Sequence, residues 1–283
     1  MKLNELTVSN NEKIVWGKRT YLMGIINITP DSFSGDGIFE DIIGATKQAE
    51  LFESQGVDFI DIGAESTRPL HHPINMDEEL SRIVPVVEAI TKAVSIPISI
   101  DTTKAKVAEE CLKVGAHIIN DISGLNADSN MAKVVSSANC PIIIMHNKKK
   151  PVYTDLLLEI RNKLQENIRI AVKNRIDPSN IIIDPGFGFG KTPDDNLQIL
   201  NNLEMINPGK FPILLGTSRK STIGHILNSP VESRIEGTSA TVSIGISRGA
   251  DIVRVHDVYQ MKQISMMTDA IVRGWRPEHW NNP

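Results

Sequence analysis

The chain has 283 residues, with 30 lysines and arginines against 34 aspartates and glutamates and a formal net charge of -4. Its 41% hydrophobic residues suffice for a sizeable core and exclude disorder as the main state. The mild acidic excess argues against a nucleic-acid binder, which would carry a basic face or basic blocks. The cysteines Cys111 and Cys140 are too few for a disulfide framework, lack metal-finger spacing, and are expected to be reduced and partly buried. The opening stretch Met1–Lys13 is polar, without the apolar core of a signal peptide, and no apolar run approaches the roughly 18 residues needed to cross a bilayer. A cytoplasmic enzyme with neither membrane nor nucleic-acid partners is expected.

Residues 1–20 read as an N-terminal extension, for which a short hairpin over one end of the fold is the only structure suggested. From Tyr21 onward, short β-branched runs alternate with helical spacing, and no linker divides residues 21–283. The runs are Tyr21–Asn27, Phe59–Gly63, Ile98–Asp101, Ile118–Ile122, Pro141–His146, Ile181–Asp184, Pro212–Thr217 and Ile252–Asp257. Near-continuous apolar character such as Ile181-Ile182-Ile183 fits strands covered on both faces. Helical spacing is clearest over Met76–Ala93, Leu156–Lys173 and Ile264–Arg273. Eight such alternations predict an α/β fold, a single-domain (β/α)8 TIM barrel, with a doubly wound open sheet as the rival.

In such barrels the chemistry sits at the carboxyl ends of the strands. The predicted strands end in Asn27, in Glu65-Ser66-Thr67-Arg68, in Asp101, in Asn120-Asp121, in His146, in Asp184, in Ser218-Arg219-Lys220, and in Arg254 with His256. If the barrel closes, these converge on one rim. Asp101, Asn120 and Asp184 would meet a heterocycle bearing adjacent ring N–H and amino donors, because carboxylates in a half-dry mouth need donors. The bland alternative is that a strand-end aspartate caps the next helix, and Asp121 is read that way. Arg68, Lys220, Arg254 and His256 form a cationic group suited to phosphate or diphosphate, with surface salt bridges as the alternative. Ser218-Arg219-Lys220-Ser221 precedes a helical-looking segment and offers backbone N–H groups to a carboxylate.

The glycine-rich segment Asp184-Pro-Gly-Phe-Gly-Phe-Gly-Lys-Thr192 has the wrong spacing for a Walker A loop or a dinucleotide fingerprint. It reads as a loop that lets backbone approach a flat ligand, with Phe187 or Phe189 as a stacking face or, alternatively, as core. Several features read as structural: the pairs Glu78-Glu79 and Glu109-Glu110 as exposed helix faces, Lys148–Lys150 and His71-His72 as solvated loops, Met266-Met267 as core, and His117 as a satisfied histidine.

The strings Gly24-Ile-Ile-Asn27-Ile-Thr29-Pro30-Asp31-Ser32-Phe33, Gly63-Ala-Glu65-Ser66-Thr67-Arg68-Pro69, Ile119-Asn120-Asp121, Asp184-Pro185-Gly186, Gly216-Thr-Ser218-Arg219-Lys220-Ser221 and Arg254-Val-His256-Asp257 are far more specific. In this order, from about Tyr21 to Arg273, they resemble the dihydropteroate synthase family. That resemblance implies a pterin-binding barrel that joins 6-hydroxymethyl-7,8-dihydropterin diphosphate to p-aminobenzoate, giving 7,8-dihydropteroate and pyrophosphate in folate biosynthesis. It also implies a sulfonamide target and a homodimer. Carried over by motif, Asp101, Asn120, Asp184 and Lys220 hold the pterin, with Met145 and Gly216 lining the same pocket. Arg254 packs on the ring face and touches phosphate, and Asn27 binds Mg2+ on the diphosphate. Arg68 and His256 are further anion contacts, and Thr67, Pro69, Phe189 and Ser221 shape the p-aminobenzoate pocket. Asp101, Asp184, Lys220 and Arg254 are the expected catalytic residues. The chain departs from the family at Leu70, where a small residue is usual, and in the order Ser34-Gly35-Asp36-Gly37. The alternatives are a methyltetrahydrofolate-dependent methyltransferase of the same barrel type, which would need no diphosphate clamp, and a non-catalytic pterin-binding protein.

Overall fold

The structure, a computed structural model, describes residues 5–8, 12–28, 38–65, 74–277 and 280. Two short strands, β1 (Glu5–Val8) and β2 (Glu12–Val15), pair antiparallel. Eight parallel strands follow: β3 (Tyr21–Asn27), β4 (Phe59–Gly63), β5 (Ile98–Asp101), β6 (Ile118–Asp121), β7 (Ile142–Met145), β8 (Ile181–Asp184), β9 (Leu214–Leu215) and β10 (Ile252–Val255). Their order, β8-β7-β6-β5-β4-β3-β10-β9, is closed by a parallel bridge between Ile183 and Ile213, with the Ile183 N–H donating to Pro212 O at 2.9 Å. That bridge excludes the open-sheet alternative. β9 covers only Leu214–Leu215 of the predicted run Pro212–Thr217, whose first residue, Pro212, has no N–H to give a ladder.

Nine helices among the described residues surround the sheet: α1 (Ile38–Ser54), α2 (Met76–Ala93), α3 (Ala105–Lys113), α4 (Met131–Ala138), α5 (Leu156–Lys173), α6 (Pro193–Asn201), α7 (Ser221–Leu227), α8 (Ile235–Ser247) and α9 (Val258–Val272). Their starts are chemically marked. The side chains of Asn75 and Asp155 accept from Glu78 N and Leu158 N at the heads of α2 and α5, and Thr192 forms a capping box with Asp195 before α6. α9 begins six residues before the predicted Ile264. Its buried stripe is Met261, Ser265, Thr268 and Asp269, which leaves Met267 on the opposite side and 63% exposed, so the expectation that Met267 is core is corrected. No helix among the described residues is long and apolar enough to cross a membrane.

The period of two along a strand sorts the side chains. Ile60, Ile62, Ile98, Ile100, Ile119, Ile142, Ile144, Ile181, Ile183 and Val253 face the helices and build the main core. The inward positions Met23, Phe59, Ile118, Ile143, Ile182, Leu214 and Ile252 form a second, smaller core inside the barrel. Leu6, Val8 and Ile14 of the β1–β2 ribbon close it from below. This apolar floor fixes what lies above it. Two residues further along six of these strands, the same inward face carries Asp61, Asn120, Met145, Asp184, Gly216 and Arg254, while β3 carries Ile25. The barrel is thus oil at its base and charge at its mouth.

Candidate active site

At the mouth, the β10 side chain Arg254 reaches across the barrel. Its Nε donates to Asp61 Oδ2 of β4 at 2.6 Å, and its Nη2 donates to Asp101 Oδ2 of β5 at 3.0 Å. Asn120 Nδ2 of β6 donates to the same Asp61 oxygen at 3.0 Å. On the far wall, Asp184 Oδ1 at the end of β8 accepts from Gly186 N at 2.7 Å. Burial dominates the electrostatics of this cup. It pushes Asp101 up to about 7 against the pull of Arg254, with Asp61 adding like-charge repulsion. It pushes Asp184 up to about 6, opposed by the Gly186 N–H and by Lys220. Lys220 is brought down to about 8, by burial first and then by Arg254. A cup of this kind favours a ligand that brings hydrogen-bond donors to the acids.

One side of the rim is the glycine loop after β8. Gly186, Gly188 and Gly190 all have positive φ, and a Cβ on Gly186 or Gly190 would lie 1.9 Å from His146 O or 1.7 Å from Lys148 O. Glycine is therefore required where this loop lies against the backbone that follows β7. Half-buried Lys191 ties the two segments, its Nζ 3.0 Å from His146 Nδ1 and 2.9 Å from Phe189 O. Burial and the neighbouring Lys191 ammonium bring His146 down to about 3, so its ring is neutral and accepts. The loop turns Phe187 into the core and leaves Phe189 half-buried, with Lys220 Nζ 4.2 Å from its ring centre. This divides the two phenylalanines: Phe189 faces the site and Phe187 does not.

Beyond Lys220, Ser218 Oγ lies 3.0 Å from His256 Nδ1 and accepts from His256 N at 3.2 Å. With Nδ1 accepting the serine hydroxyl, His256 keeps its proton on Nε2 as a donor. Burial, then Arg254 and Arg219, lower its pKa to about 3. The expectation that His256 belongs to a cationic group is thus corrected, because three neighbouring cations, Arg254, Arg219 and Lys220, keep it neutral. Arg219 is committed elsewhere, as a two-pronged pair with Asp257.

The fold brings Asp101, Asn120, Met145, Asp184, Phe189, Gly216, Lys220, Arg254 and His256 to one cup. Asn27 lies exposed at the end of β3, and Ser221 lies exposed at the start of α7. Thr67, Arg68 and Pro69 lie outside the described residues, as do His71-His72, Leu70 and residues 29–37. Asp121 is a turn residue, accepting from Ser123 N and Leu125 N, and His117 is satisfied by Ile98 N. Two features escape sequence reasoning. Asp61 sits inside an apolar strand rather than at its end, yet it shares parity with Phe59, which was the available signal. Glu79, expected on an exposed face, is buried: it accepts from Thr102 Oγ1 at 2.7 Å and from Lys104 Nζ at 2.5 Å, and the same ammonium reaches Glu65. One ammonium between two carboxylates is what allows an acid on that side of α2.

The chain matches the family described as pterin binding enzyme over residues 23–256. It is 52% identical over 258 residues to a dihydropteroate synthase of Clostridium beijerinckii, covering 91% of this chain and 96% of that protein. A solved dihydropteroate synthase from Clostridium difficile, determined in the presence of pteroic acid, superposes with a TM-score of 0.89 at 46% identity, covering 91% of this chain and 98% of that one. The Xanthomonas albilineans enzyme, solved with 4-aminobenzoic acid, gives 0.89 at 34% identity, covering 95% and 98%.

Proposed function

The chain belongs to the pterin-binding enzyme family, among its dihydropteroate synthases, and from that premise we propose how its side chains divide the reaction. Asp101, Asn120 and Asp184 hold the donor edge of the dihydropterin ring, with Met145 and Gly216 along its faces. Lys220 donates to the ring's acceptor edge, and Arg254 packs on its face with its charge toward the diphosphate. Thr67, Pro69, Phe189 and Ser221 shape the p-aminobenzoate pocket, while Arg68 and His256 are anion contacts.

The bond that breaks joins a methylene to diphosphate beside an electron-rich ring. Its departure leaves a cation delocalised into that ring, which the arylamine nitrogen then attacks to form the new C–N bond, the nitrogen giving up one proton to solvent. Such a dissociative substitution needs an anionic cradle and a leaving-group clamp more than a strong base. Asp101 and Asp184 supply the cradle. Lys220, Arg254 and the Nε2–H of His256 face the departing charge.

The exposed amide oxygen of Asn27 fits magnesium, a hard ion usually held by one or two protein oxygens with phosphate and water completing its shell. When bound there, Mg2+ would offset charge on the diphosphate.

What supports this reading is the juxtaposition of Asp101, Asn120, Asp184, Lys220 and Arg254 above a sealed apolar floor. Purified protein given the pterin diphosphate, p-aminobenzoate and Mg2+ is expected to release one pyrophosphate per dihydropteroate. Pteroic acid binding without pyrophosphate release would instead mark a binding protein. The reading includes a cytoplasmic homodimer built on the 21–283 barrel with residues 1–20 as its extension. The exposed Ile244, Met267 and Ile271 of α8 and α9 offer apolar surface for pairing, which sedimentation measures.

A further inference from the structure

Asp61 is completely buried, and its two oxygens are used unequally. Oδ2 accepts from Arg254 Nε at 2.6 Å and from Asn120 Nδ2 at 3.0 Å, whereas Oδ1 is buried without a partner. A carboxylate beside a guanidinium offers acceptors only, so the Asn120 amide must turn its NH2 toward it. Asn120 Oδ1 is thereby the atom left over, and it too is buried without a partner. Unpartnered buried acceptors are costly unless something supplies donors to them. The same carboxylate, with Asp101, fixes the Arg254 guanidinium at two of its nitrogens.

We propose that Asp61 is a positioning residue of the ring site. It pins Arg254 across the cup and sets the orientation of the Asn120 amide, so that Asn120 presents an oxygen and selects a heterocycle whose facing edge carries N–H groups. This rests on the reading that the cup holds a pterin. Asp61 acts through its neighbours: its effect on the ligand passes through Asn120 and Arg254, and its Coulomb repulsion also raises the neighbouring Asp101.

The experiment is pteroic acid calorimetry on wild type, on D61A and on D61N, with thermal melts alongside. D61A removes the acceptor, which frees the Asn120 amide to turn over and Arg254 to swing away. It is expected to lower pteroic acid affinity by roughly 10- to 100-fold while melting as a folded protein, a loss with an unchanged melt that a purely structural role would not give. D61N keeps an amide oxygen for the place of Oδ2, where it accepts from both Arg254 Nε and Asn120 Nδ2, and it is expected to regain most of the lost affinity. D61A binding as tightly as wild type, or D61N binding no better than D61A, would overturn the proposal. Wild-type protein that itself bound no pteroic acid would overturn the pterin reading along with it.

Discussion

The Lys220 ammonium lies 4.2 Å from the centre of the Phe189 ring, joining the segment that opens α7 to the glycine loop that follows β8. This contact holds a cation above the acids of the barrel mouth at a place where burial disfavours it. The site is therefore tuned on both sides: acids held above their ordinary range face a lysine held below its own.

Binding should accordingly be bell-shaped in pH. Asp184 and Asp101 must shed protons at about 6 and about 7, and Lys220 must keep its own below about 8. Pteroic acid affinity is expected to rise through the first two values and fall through the third, with protons released on binding near pH 6. Calorimetry in two buffers of different ionisation enthalpy measures that release. Apart from binding, a raised carboxyl pKa contributes folding stability present below its unfolded value and lost as pH climbs through 6 to 7.

Lys220→Gln is one atom shorter and keeps a donor but removes the charge. Turnover and pteroic acid affinity should each fall, by roughly tenfold or more, and the alkaline limb of the profile should disappear. Unchanged kinetics with the limb intact would show that another group sets it.

Gly190→Ala tests the packing of the glycine loop. The added methyl meets Lys148 O at 1.7 Å, in a backbone with φ of +57°, so the loop must move. The strain alone is worth about 1–3 kcal/mol. The KM for p-aminobenzoate should rise while that for the pterin diphosphate holds, and steady-state kinetics on both substrates will separate the two.

Leu6→Ala opens a cavity at the other end of the barrel, where Leu6 joins Met23, Phe59 and Ile252. The expected loss is about 2–5 kcal/mol of unfolding free energy, read by urea titration, with pteroic acid affinity unaltered.

Most of this site was legible in the sequence because strand-end residues announce themselves. Asp101 and Asp184 each terminate a β-branched run, Asn120 opens the polar pair that follows Ile118-Ile119, and alternation put Arg254 and His256 on one face. Asp61 was not legible in that way because it stands one step earlier, enclosed by Ile60 and Ile62, where only closure of the barrel gives it partners. Glu79 was misread for the same reason. On its helix it looks like one of three successive acids, and the long-range Lys104 and Thr102 contacts that bury it do not show in local pattern. The charge of His256 was misjudged because residue type suggests a cation, whereas burial beside Arg254, Arg219 and Lys220 decides otherwise. The extent of α9 was missed because Asp257, its N-cap residue, closes the predicted strand run Ile252–Asp257, and in the fold its carboxylate pairs with Arg219 rather than capping the helix.

Asp184 accepts from one backbone N–H, and Lys220, Lys191 and Arg254 oppose the burial that raises its pKa. Titrating pteroic acid into Asp184→Ala by calorimetry is the most direct test of a cup in which acids grip a flat ring. Loss of affinity by more than roughly 100-fold, with an undisturbed thermal melt, is the predicted result. Affinity equal to wild type would contradict it.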